Sequence, residues 1–168
     1  MERLWSPWRY QYVSAGGNKE PATAACVFCA IQKDPARDEA NFVVMRAAHN
    51  YVVLNLYPYT SGHILIVPNE HLAELDAAAK EITDEIMDLA KCTQTALRQV
   101  YEPGGFNLGM NLGAAAGAGI ADHIHLHIMP RWAGDTNFMT TVGETRVIPE
   151  DLTTTYARVK AVMRDEWS

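Results

Sequence analysis

Two hydrophobic periods alternate along this chain and divide it into strands and helices. Phe42 to Met45 and Tyr51 to Leu56 are rich in valine, aromatic and leucine residues, with Ala47-Ala48-His49-Asn50 between them, which predicts a β-hairpin. Pro58 and Gly62 break the pattern before a third strand, His63 to Val67, closed by Pro68 and Asn69. From Ile82 to Val100 the apolar positions Ile82, Ile86, Leu89, Leu97 and Val100 fall at helical spacing, with Thr83 as the expected N-cap and Asp84 and Glu85 in the first turn. Pro103-Gly104-Gly105 ends that helix and leads into Phe106, Leu108, Met110 and Leu112, which alternate with Asn107, Gly109 and Asn111 as in a half-buried strand. Asp122 to Met129 alternates again: Ile124, Leu126 and Ile128 face one way, His123, His125 and His127 the other. Pro149 to Trp167 sets Leu152, Tyr156, Val159, Met163 and Trp167 on one helical face, with Pro149 suited to the first turn. Five strands interrupted by helices, mostly joined by connections suited to antiparallel pairing, predict an α+β domain.

Residues 1–25 have neither period. They hold an aromatic cluster (Trp5, Trp8, Tyr10, Tyr12) and a Gly, Asn and Ala-rich stretch, which reads as an N-terminal extension to a domain spanning 26–168. A length of 168 residues suits one domain, and 48% hydrophobic with 20% charged residues is an ordinary globular composition, so disordered and fibrous classes are excluded. Fourteen Lys and Arg against twenty Asp and Glu give a formal charge of -6, which argues against nucleic-acid or anionic-membrane partners. Met1 to Tyr10 has no apolar signal core and no later stretch approaches the ~20 apolar residues of a membrane span, so the expected location is cytoplasmic. The cysteine count of three agrees, being odd, with two in Cys26-x-x-Cys29. Cys92, within the helical pattern, reads as a small buried residue.

Three histidines on one face of a strand are hard to justify as packing. Clustered imidazoles suit either metal ligation or nucleophilic and acid–base work, because a neutral ring nitrogen can attack phosphorus while its neighbour donates a proton. Asn107 and Asn111 are expected on the same face if the two strands pair. The loop between them and the histidines, Gly113 to Gly119, is nearly free of side chains, so its backbone N–H groups can approach phosphate oxygens. The Cys-x-x-Cys pair allows three readings: half of a zinc site, a redox pair without the surrounding thioredoxin pattern, or free thiols. His49 reads as a solvated turn residue, and Arg131 as either a phosphate contact or a surface ion pair.

The motif His123-Ile-His125-Leu-His127-Ile-Met resembles the signature of the histidine triad superfamily of nucleotide hydrolases and transferases. The resemblance extends over Asn55-Leu-Tyr-Pro58-Tyr-Thr-Ser-Gly62-His63, Gly105 to Gly113, and Pro130-Arg131-Trp132 with Gly134-Asp135-x-Asn137-Phe138, and its later motifs are similar to bacterial diadenosine tetraphosphate phosphorylases. It implies a five-stranded antiparallel sheet with a long helix and a C-terminal helix, dimerising into a ten-stranded sheet. It also implies cleavage of a dinucleoside polyphosphate through a nucleotidyl intermediate on His125, with His123 and His127 as the other catalytic histidines. Asn55 and His63 would lie near the ribose and nucleoside, and Asn111, Gly117, Gly119 and His127 near the phosphates. Many relatives carry Gln or Ser where this chain has Gly119, so only a backbone contact can remain there. Several relatives bind structural zinc, which points to Cys26, Cys29, His71 and His123 as ligands. A dinucleoside polyphosphate hydrolase or a nucleoside phosphoramidase would share the first chemical step; a nucleotide-binding or zinc-stabilised interaction module would need no nucleophile.

Overall fold

The computed structural model describes residues 26–136, 142 and 148–167. The aromatic cluster Trp5 to Tyr12 and the motif residue Asn137 lie outside them. A short helix α1 (Val27–Lys33) precedes the hairpin strands β1 (Val43–Arg46) and β2 (Asn50–Leu54), then β3 (Ile64–Pro68). The long helix α2 (Lys80–Tyr101), β4 (Gly105–Gly109), β5 (Leu126–Arg131) and the C-terminal helix α3 (Leu152–Glu166) complete the order. The five strands form one sheet in the order β1-β2-β3-β5-β4, every pair antiparallel.

The central strands are covered on both faces, which explains why β2 and β3 read as continuous apolar runs rather than alternating ones. On one face Val52, Leu54, Ile64, Ile66, Leu126 and Ile128 pack against Ile82, Ile86, Leu89 and Leu97 of α2 and Tyr156, Val159 and Met163 of α3. On the other, Val43, Tyr51, Val53, Leu65 and Val67 cluster with Phe28 of α1. His127 is directly opposite Leu65 in the ladder, so the histidine face is the α1 face. Cys92 is buried, as its sequence position predicts.

Polar ties fix these layers. The Glu85 carboxylate on α2 accepts from the backbone N–H of Ala48 (3.0 Å) and His49 (2.8 Å) and from the Asn50 amide (2.8 Å), pinning the β1–β2 turn. His49 itself is exposed there, as expected. From α3, the Tyr156 hydroxyl donates to the Val43 carbonyl at 3.2 Å.

The ends of the elements differ from the sequence expectation. A 3₁₀ turn at Leu75–Ala77 feeds α2 directly, so the helix starts at Lys80 with Ala79 as its N-cap, whose carbonyl accepts from Ile82 and Thr83. Thr83 is therefore inside the first turn, donating its hydroxyl to the Lys80 carbonyl. In α3 the N-cap is Asp151, which accepts from the Thr154 N–H at 2.9 Å; Pro149 precedes the helix, and Trp167 follows it, exposed. Strand β4 ends at Gly109 opposite His127, leaving Met110, Asn111 and Leu112 beyond it. The cause is on β5: upstream of Leu126 the chain leaves the sheet, and Ile124 donates its N–H to the Leu72 carbonyl at 2.7 Å instead.

Gly62 enters β3 with φ +74, and a Cβ there would stand 2.9 Å from Tyr101 Cε2, 3.1 Å from Leu97 Cδ2 and 3.2 Å from Pro130 Cγ. Both the left-handed backbone and the close packing demand glycine. Gly62→Ala is expected to destabilise by about 2 kcal/mol, a fall of about 4–8 °C in the calorimetric melting temperature for a chain of this size; an unchanged melting temperature would contradict the tight contact.

Candidate active site and metal centre

Cys26 is the N-cap residue of α1 and Cys29 lies in its first turn, so both thiols come to the same end of the helix. His71 arrives from the segment after β3 and His123 from the segment before β5. The four ligand atoms lie within 4.8 Å of one another. Cys29 Sγ is 3.2 Å from His71 Nδ1 and 3.6 Å from His123 Nδ1, and Cys26 Sγ is 3.4 Å from His123 Nδ1. His123 Nε2 donates to the Pro68 carbonyl at 3.0 Å, which keeps the proton on Nε2 and leaves Nδ1 bare toward the thiols. Burial and the adjacent Cys26 raise the Cys29 thiol above its ordinary value, so it ionises at neutral pH only against a neighbouring positive charge. Two thiols and two imidazoles, one ring held from behind by a carbonyl, are four donors of the kind that suit a closed tetrahedral zinc site.

The other two triad histidines are arranged differently. His125 donates Nδ1–H to the His123 carbonyl at 2.9 Å, which leaves the Nε2 lone pair unprotonated and without a hydrogen-bond partner among the described residues. His127 belongs to a relay that starts on the backbone. Tyr59 N–H donates to His63 Nδ1 at 3.1 Å, so His63 carries its proton on Nε2 and gives it to His127 Nδ1 at 2.9 Å. His127 is then protonated on Nε2, an atom that is buried and has no hydrogen-bond partner among the described residues. Asn55 supports the relay: its Oδ1 accepts from Tyr57 N–H at 3.0 Å, which turns its amide nitrogen toward His63 Nδ1 at 3.3 Å.

His125 and His127 are only 7% and 9% exposed, and their rings stand 4.8 Å apart. Burial lowers the pKa of His125, partly opposed by its bond to the His123 carbonyl. Burial and the neighbouring His125 bring His127 down to about 4. The pair is neutral at pH 7, one ring presenting a lone pair and the other an N–H, as attack on phosphorus with charge stabilisation requires.

The structure brings Asn55, His63, His125 and His127 into one hydrogen-bonded group, and Cys26, Cys29, His71 and His123 into another. Asn111, Gly117 and Gly119 lie on the loop joining β4 to β5, with no hydrogen bond to the histidines. Gly117 closes a 3₁₀ turn at Ala114–Ala116 with φ +88, and a Cβ on Gly117 or Gly119 would meet nothing within 4 Å. Asn107 pairs with Met129 and so shares the His127 face, but its amide oxygen accepts from Arg131 at 2.5 Å. Arg131 in turn holds Asp135 through Nε (2.5 Å) and Nη2 (2.7 Å) as a surface ion pair; these bonds hold the Asp135 carboxyl well below the usual range. Two site residues have no signal in the sequence pattern. Tyr59 places its ring 4.9 Å from His63 and 6.3 Å from His127, and Phe28 touches both His123 and His125.

Residues 36–134 match the HIT domain, and the chain belongs to this histidine triad family. Among its relatives is the AP-4-A phosphorylase of Mycobacterium tuberculosis, 39% identical over 174 aligned residues that cover all of this chain and 85% of that protein. An adenosine 5'-monophosphoramidase of Saccharomyces cerevisiae is 30% identical over 122 residues, 71% of this chain and 72% of that one. The crystal structure of a zinc-bound histidine triad family protein from Mycobacterium smegmatis superposes with a TM-score of 0.69 at 27% identity, covering 84% of this chain and 94% of that one.

Burial of His127 has a consequence for stability. From its ordinary 6.5 the pKa falls to about 4 on folding. Between these values the unfolded chain binds a proton that the folded chain refuses, so stability drops as pH falls through the window and is unaffected by this group above it. His127→Gln is expected to flatten that part of the curve, seen as a smaller shift in urea midpoint between pH 7 and pH 4.5 than in the wild type. Equal shifts would show that His127 titrates normally.

Proposed function

We propose that this chain is a nucleotidyltransferase that cleaves diadenosine tetraphosphate with phosphate to ATP and ADP. The observation that carries the reading is the protonation pattern: a bare Nε2 on His125 beside an unpartnered Nε2–H on His127. The likeness to an AP-4-A phosphorylase over the whole chain supports the substrate. His125 Nε2 attacks the α-phosphorus, forming the N–P bond as the P–O bond to the leaving group breaks; ATP departs and AMP stays on the ring. Phosphate then attacks the same phosphorus, releasing ADP and restoring the imidazole. His127 Nε2–H would donate to the oxygens that gain charge, and His63, held by Asn55 and Tyr59, would keep that proton aimed. Asn55 and His63 would wall the nucleoside side, and Asn111 with the backbone at Gly117 and Gly119 the phosphate side. His123, with both ring nitrogens engaged, would serve the metal cluster rather than the reaction.

Zinc is the metal that the Cys26, Cys29, His71 and His123 donors suit, and when bound it would cross-link α1 to the sheet. We also propose a homodimer joined through β4, which ends the sheet and carries exposed Leu108, and a cytoplasmic location, supported by the free thiols of Cys26 and Cys29. No helix among the described residues is long and apolar enough to cross a membrane. A second reading, a nucleoside phosphoramidase, rests on the likeness to the yeast enzyme and shares the first step.

Two experiments test this. Protein quenched during turnover should carry AMP on His125 by mass spectrometry. His125→Ala should lose at least about a thousandfold in rate while binding nucleotide within a few fold, and wild-type turnover should need phosphate and yield ADP. Equal rates without phosphate, with AMP released, would make the chain a hydrolase; a protein that never carries nucleotide would be a binding module. For the metal, elemental analysis should find one zinc per chain. Cys26→Ala should lose it with at least ~2 kcal/mol of stability, about 4 °C or more in melting temperature. Metal-free protein of unchanged melting temperature would exclude the structural site.

A further inference from the structure

Between the two cysteines lies Phe28, 5% exposed, with its ring set between two histidines of the triad. Its centroid is 5.4 Å from that of His123 with the planes at 77°, and 5.0 Å from that of His125 at 55°. The helix that carries it is fastened at both ends. Tyr51, fully buried, donates its hydroxyl to the Phe28 carbonyl at 3.0 Å. At the far end, Arg46 donates to the Ile31 carbonyl at 2.8 Å while Asp38 holds the same guanidinium at 2.7 Å. Cys26 and Cys29 flank Phe28 in sequence and meet His123 in space, so closing the cluster draws this ring onto the histidines.

Among the described residues His125 has a single hydrogen bond, from Nδ1 to the His123 carbonyl. One such bond fixes the tautomer but holds the ring at one edge only. The plane is fixed by packing, with Phe28 as one contact and the His127 ring, 4.8 Å away, as another.

We propose that Phe28 is a positioning residue, whose ring sets the plane of the His125 imidazole and couples it to the closure of the Cys26, Cys29, His71 and His123 cluster. The proposal rests on the reading of His125 as nucleophile. If the cluster opens, Tyr51 and Arg46 still tie α1 to the sheet, but the Phe28 ring loses the hold of the cysteines on either side, the imidazole turns, and its lone pair no longer points at phosphorus; a misplacement of ~1 Å can cost 10²-fold in rate.

Phe28→Leu keeps most of the apolar bulk and removes the flat ring, and Phe28→Met does the same with a longer side chain. In whichever variant retains one zinc per chain, kcat should fall at least about tenfold with KM within about twofold. A second readout needs no turnover: the ring carbon–proton signals of His125 in histidine-labelled protein at one fixed pH, with exposed His49 as reference. Withdrawing zinc from wild type with a chelator should shift or broaden the His125 signal and leave His49 in place. In the zinc-loaded variant the His125 signal should already be displaced and respond to chelation less than half as much. Wild-type kcat in a zinc-loaded variant overturns the proposal, and so does a rise in KM alone, which would make Phe28 a nucleoside contact. Equal chelation responses in wild type and variant, a His49 shift as large as that of His125, or loss of zinc from both variants overturn it as well. If no nucleotide forms on His125, the nucleophile reading fails, while the resonances still decide whether ring and cluster are coupled.

Discussion

One proton, carried on Nδ1 of His125 and given to the carbonyl of His123, governs the chemistry available to the rest of the site. An imidazole has one proton to place when neutral, and placing it on Nδ1 frees Nε2. The same residue that accepts this proton through its backbone turns its side chain the other way, toward two thiols, and is held there by the Pro68 carbonyl. Two adjacent rings thus face opposite tasks because each has its own carbonyl to bond. This is possible only because the chain has left the sheet by that point, so that the His123 carbonyl is spent on a side chain rather than on a neighbouring strand.

The sheet supplies the rest by being covered on both faces. The α2 and α3 face is a conventional apolar core, whereas the α1 face mixes Tyr51, Leu65 and Phe28 with imidazoles. Burying imidazoles costs far more free energy when they are charged than when they are neutral, and here burial lowers all three triad values. The apolar surroundings keep the rings neutral, and neutral rings can sit in apolar surroundings. Packing and reactivity are therefore served by the same residues.

Much of this was legible in the sequence, and what was not has identifiable causes. Period-2 alternation located the strands and the histidine face, and Cys-x-x-Cys located half of the metal cluster. Helix starts were misplaced at Thr83 and Pro149 because the true caps, Ala79 and Asp151, are set by a preceding 3₁₀ turn and by a local aspartate. Asn107 has the expected face, yet its amide is taken by Arg131, a partner 24 residues away that no local pattern connects to it. Phe28 and Tyr59 escaped for a similar reason. A ring packed against histidines of the triad looks, in the sequence, like any other aromatic near a turn.

The four residues of the Cys26, Cys29, His71 and His123 cluster come from three segments spread across the domain, with Cys26 and His123 separated by 97 positions. Contacts of such separation close last, because the entropy of bringing distant segments together must be met by prior pairing of the strands between them. During synthesis the two thiols emerge first and His71 next, while His123 follows only after the long helix and β4 have been made. For that interval three of the four donors are present and the set lacks its fourth. The residue that opens the triad is therefore also the one that completes the donor set around α1.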